Sequence, residues 1–147
     1  MCYADPKSML TKTETKELVD CTISCLLQIR DNLKQLEHSE AFRNLGYGSV
    51  RKCIKQEFRL YNIPYLYQQL RLSRIESMID PKNKYKGIPD LFLRNLERLK
   101  HPSSIRKVWK KVIKIARKNR QKRPSSTLLL DTITQSGLLP TKPKNRE

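Results

Sequence analysis

Two cysteines and one run of cations are the residues of this chain best placed to do chemistry. Cys21 and Cys25 stand four apart, so on a helix one lies above the other. That spacing suits two metal ligands or half of a twin CxxxC disulfide motif. A second CxxxC is missing: the remaining cysteines are Cys2 and Cys53, and the only histidines are His38 and His101. Cys21 and Cys25 are therefore expected to act as small buried apolar side chains, with no metal and no cofactor. Neither histidine sits beside a nucleophile and an orienting acid, and no Gly-rich phosphate loop is present. These gaps argue against an enzyme.

The cations are a stronger signal. The chain holds 31 Lys+Arg against 14 Asp+Glu, for a net +17. The excess is graded: residues 1–50 carry −1, residues 51–100 carry +7, and residues 101–147 carry +11. Residues 105–123 hold ten Lys/Arg and no acid. Within them Ile105, Val108, Trp109, Val112 and Ala116 recur at helical spacing, which predicts an amphipathic helix with one packed side and a cationic remainder. Neighbouring like charges weaken such a helix by a few tenths of a kcal/mol per i,i+4 pair. Phosphates offset that loss through charge-assisted hydrogen bonds and counterion release. Arg106, Lys107, Lys110, Lys111, Lys114, Arg117, Lys118 and Arg120 are the expected phosphate contacts, on RNA or a ribonucleoprotein. An anionic membrane surface or the nuclear import machinery would read the same face, and a basic face that is simply solvated fits the pattern too. Trp109 shares the apolar side and is expected in the core, although a lone tryptophan among cations could also stack on a base. Tyr61, Tyr65 and Tyr67, near Arg59 and Arg71, fit base stacking and helix packing equally well.

Several helices must position these groups. Thr11 and Glu14 form a capping box, and Leu18, Thr22, Cys25, Ile29, Leu33 and Leu36 then recur every three or four residues. They predict one long helix with a single apolar stripe, weakening near His38 and ending before Gly46. Ser49 caps a second helix bearing Val50, Cys53, Ile54, Phe58 and Tyr61. Pro64 starts a third, which runs through Leu66, Leu70, Leu72, Ile75 and Ile79 to Asp80-Pro81. Residues 81–89 read as a basic loop. Asp90 is expected to cap a short helix with Leu91, Leu93, Leu96 and Leu99, and His101-Pro102 separates it from the basic helix. The expected fold is all-α: a small helical bundle of about four or five helices over residues 11–123. Residues 1–10 are expected to be flexible and residues 124–147 to form a disordered C-terminal tail.

That tail contains a short apolar segment. Leu128, Leu129, Leu130, Ile133, Leu138 and Leu139 could fold into a partner's groove or dock back on the same core, with Gly137 ending a two-turn helix. A host or viral protein could also pair with the N-terminal helix, and the 18–36 stripe could support an oligomer. No apolar run is long enough to span a membrane, and residues 1–10 lack the order of a signal peptide. The expected compartment is cytoplasmic, with nuclear entry open.

Leu33-Lys34-Gln35-Leu36-Glu37, then Asn44-Leu45-Gly46-Tyr47, then a basic helical stretch ending at Met78-Ile79-Asp80-Pro81, resemble the central part of paramyxovirus C accessory proteins. Ser136-Gly137-Leu138-Leu139 adds to the likeness, which covers about a third of the chain. The resemblance implies a viral non-structural protein that tunes viral RNA synthesis through the polymerase–nucleocapsid complex and antagonises host interferon responses. Separately, Phe58-Arg59-Leu60-Tyr61 is similar to the mitochondrial LYR motif, with Asn62 where that motif has its arginine. This second likeness implies an assembly factor or adaptor whose basic face binds an acidic protein.

Overall fold

The computed structural model describes residues 9–85 and 87–140, and the architecture is all-α. Among the described residues there are six α-helices and one 3-10 turn, and no strand. They are α1 (Lys12–His38), the 3-10 turn Ala41–Leu45, α2 (Val50–Glu57), α3 (Ile63–Ile79), α4 (Asp90–Glu97), α5 (Pro102–Lys118) and α6 (Ser126–Ser136).

The helix starts follow local chemistry. The Thr11 hydroxyl accepts from Glu14 N–H at 3.1 Å and donates to the Glu14 carboxylate at 3.1 Å. Ser49, Asn62 and Ser125 each satisfy an otherwise orphaned amide three residues on. Gly46 ends the 3-10 turn with φ +86°, where a Cβ would be strained.

The central helix α3 belongs to two cores. Its first half gives Leu66 and Leu70 to a cluster with Leu33, Phe42, Val50, Cys53 and Ile54. Its second half gives Leu72, Ile75 and Ile79 to a larger cluster with α4, α5 and α6. A polar network bridges the two. Arg30, only 1% exposed, places its guanidinium 2.8 Å from Glu76 and 2.9 Å from Asp90, and donates to the carbonyl of Ile88. Gln69 donates to the other Asp90 oxygen at 2.6 Å. Asp90 is thus the first residue of α4 rather than its cap, a position taken by Pro89. Its carboxylate is drawn to α1 and α3 instead of to its own amides. On the surface Arg74 grips Glu37 with two nitrogens, and this hydrogen bonding holds the Glu37 carboxyl below its usual range.

Three further expectations need correction. First, the stripe on α1 is only partly buried. Leu33 is in the core and Ile29 and Leu36 are half-buried, but Leu18, Thr22 and Cys25 are exposed, as are Cys21 and the neighbouring apolar Val19, Ile23 and Leu26. No described element covers the first half of α1, so the cysteines there are not core residues; Cys53 is. Among the described residues no group of three His, Cys, Asp or Glu side chains is placed to hold a metal. Second, the basic helix is shorter than residues 105–123. It ends at Lys118, and Arg120 turns left-handed at φ +55° while Gln121 N–H donates back to Ala116 at 2.9 Å. This is the closure that glycine more often provides. Third, the apolar segment after Pro124 is not a disordered tail. It forms α6, with Leu129 and Ile133 fully buried against α4 and α5, and Gly137 closing it at φ +65°. The bundle therefore reaches at least Ser136 rather than stopping near residue 123. Residues 1–8 and 141–147, within the two expected flexible ends, lie outside the described residues.

Candidate nucleic-acid interface

The apolar side of α5 decides where its charges go. Ile105, Val108, Trp109, Val112 and Ala116 all pack inward. With 100° between successive residues, Arg106, Lys110, Lys114 and Arg117 project on one flank and Lys107, Lys111 and Lys118 on the other. Arg120 lies beyond the helix end. All eight side chains are exposed. Among the described residues none of the eight has an ion-pair partner, and the ion pairs found join side chains between residues 16 and 97. The only acid on α6 is the exposed Asp131. Among the described residues this face is strongly positive, with none of its cations in an ion pair.

The two flanks are not equivalent. The loop after α3 lies alongside the first, and Lys110, Lys114 and Arg117 line a trough of about 450 Å³ with Lys82 and Lys84. Asp80 builds the opposite wall. Its two carboxylate oxygens accept from the backbone N–H groups of Lys84 and Tyr85, each at 2.8 Å, while Asn83 turns left-handed at φ +54°. Asp80, 4% exposed, spends its carboxylate oxygens on the loop backbone and sets one negative charge against the five cations of the trough, which stays net positive. Apolar atoms line the trough as well. Tyr85 packs edge-on against Trp109, with ring centroids 5.8 Å apart, and Ile113 lies half-buried beside them. The trough continues past Arg117 toward Gln121 and Lys122.

The eight cations read from the sequence are therefore all at the surface, but only Lys110, Lys114 and Arg117 converge on a concave site. Arg106 shares their flank without lining the trough. Lys82, Lys84 and Tyr85 are additions from the fold. The run of lysines in residues 81–89 hinted at them, but nothing local ties that loop to α5. Trp109 is 6% exposed and serves the core. The tyrosine cluster is split: Tyr61 is exposed, while Tyr67 packs under Arg51 at 4.4 Å. In the C-terminal segment Leu128, Leu138 and Leu139 lean on the core beside the buried Leu129 and Ile133, and Leu130 points outward. That docking in cis occupies most of the surface expected to meet a partner.

No family model matches this chain, and comparison with curated proteins and with solved structures returns no significant match. Among the described residues no helix is long and apolar enough to cross a membrane.

Proposed function

We propose that this protein is a non-enzymatic, basic accessory protein that contacts RNA or a ribonucleoprotein through the α5 face and the loop beside it. One observation carries the reading. Eight exposed cations project from α5 and its C-terminal end with no ion-pair partner among the described residues, and three of them converge with Lys82 and Lys84 on one trough whose single acid is Asp80. Placing that many like charges together costs stability unless a polyanion is bound. Phosphates meet this demand with counterion release. The short segments likened above to paramyxovirus C proteins supply the viral setting, with control of viral RNA synthesis and interferon antagonism as its consequences; cytoplasmic location, with access to the nucleus, fits that setting. The test is binding of labelled RNA by the purified chain across a salt series. Reversing Lys110, Lys114 and Arg117 to Glu should abolish measurable binding at physiological salt. Unchanged affinity would sink the reading.

A second reading has its own observation. Leu18, Val19, Ile23 and Leu26 leave an apolar stripe on the outer half of α1, far from the basic trough in sequence and carrying little net charge. A protein–protein adaptor would dock there, and partner capture would then survive nuclease treatment and fail when Leu18 and Leu26 become Ser.

A further inference from the structure

We propose that the trough between α5 and the 80–85 loop takes an unpaired nucleic-acid strand, with phosphates on its cationic rim and a base against Tyr85 and Ile113. This deepens the polyanion reading above and rests on it. The rim and the floor ask for different chemistry. Lys82, Lys84, Lys110, Lys114 and Arg117 line the opening against the single carboxylate of Asp80, so the rim is net positive and attracts anions. Lys110 to Arg117 rise about 10 Å along the helix axis, which spans about three phosphate steps of a stacked strand. A bare polyanion would use this rim and gain nothing from the floor.

The floor is apolar and partly aromatic. Tyr85 is half-buried, its ring is braced edge-on by Trp109, and the Lys84 ammonium stands 5.8 Å from its centroid. An aromatic ring held rigidly beneath cations is the arrangement that stacks a base whose phosphates are gripped outside. About 450 Å³ leaves room for one nucleotide. A duplex presents its phosphates outward and keeps its bases paired and stacked, so it meets the rim but not the floor. An acidic peptide satisfies the rim alone.

The sole tryptophan gives a direct readout, since Trp109 packs against Tyr85. The full chain is titrated at physiological salt with 12-mer RNA and DNA strands, the same lengths as duplex, an abasic 12-mer, inorganic polyphosphate and polyglutamate. Both base-bearing strands are expected to bind about tenfold more tightly than the duplex or the abasic strand, and they alone are expected to change Trp109 emission. Tyr85→Ala should erase the preference, and Tyr85→Phe should keep it. The comparison of abasic with base-bearing strands needs no variant, so it stands even if Tyr85→Ala misfolds. Equal affinity for every phosphate-bearing ligand would overturn the base site while leaving phosphate contact intact, as would tightest binding to duplex. Equal or better binding of polyglutamate would overturn it in favour of an acidic protein. Absence of binding to any phosphate-bearing ligand at low salt would overturn both the base site and the phosphate contact.

Discussion

The salt dependence of binding can be worked out from the trough. Five cations line it: Lys82, Lys84, Lys110, Lys114 and Arg117. Each phosphate contact to a single strand contributes about −0.7 to the slope of log affinity against log salt, so five give about −3.5. Affinity should then fall about 130-fold between 50 and 200 mM salt. Changing Lys110, Lys114 and Arg117 together to Gln leaves two contacts, a slope of about −1.4 and a fall of about sevenfold. The matched control changes Lys107, Lys111 and Lys118 to Gln. It removes the same charge from the same helix but from the flank away from the trough, and the slope should stay near −3.5. All six side chains are exposed, so each triple should alter folding stability little; circular dichroism checks this. Fluorescence anisotropy with a labelled 12-mer at five salt concentrations is sufficient. Equal slopes for the two triples would mean that the strand contacts α5 as a uniform charged rod, and the geometric argument for the trough would fail.

Other expectations concern the scaffold. Arg30→Met leaves Glu76 buried without its main cation and should destabilise the fold by about 3–5 kcal/mol in urea unfolding. Adding Glu76→Leu should recover most of that loss, and a cost under about 1 kcal/mol for Arg30→Met would show that the network is solvated. Leu129→Ala should cost about 2–5 kcal/mol because its side chain is fully buried against the core. A negligible change would mean that α6 spends its time undocked. Leu18→Ser combined with Leu26→Ser should change the unfolding free energy by no more than about 1 kcal/mol, since both positions face solvent. A loss of several kcal/mol would place that half of α1 in a packed interface.

Much of the architecture is legible in short-range chemistry. Thr11, Ser49 and Pro64 mark helix starts because an orphan amide, or the lack of one, is settled within a few residues. The i, i+3, i+4 recurrence of Ile105, Val108, Trp109, Val112 and Ala116 fixes which side of α5 is buried, and with it the exposure of the eight cations. The same logic overreaches on α1. Leu18, Cys25 and Leu33 share one periodic stripe, yet only the end near Leu33 meets another element. Periodicity reports an apolar face and is silent on whether a neighbour is present to cover it.

The sequence by itself determined an all-helical chain with a steep charge gradient and a helix carrying uncompensated cations, because caps, periodicity and charge are read within a turn or two. Only the tertiary structure decided which of those cations act together. Lys82 and Lys84 join Lys110, Lys114 and Arg117 because Asp80 folds its loop against α5. Arg30 becomes a core residue because Asp90, sixty positions away, reaches back to it. The Leu128–Leu139 segment turns inward for the same kind of reason: α4 and α5 leave an apolar surface that Leu129 and Ile133 cover. Such pairings depend on how distant helices pack, and no local pattern encodes them.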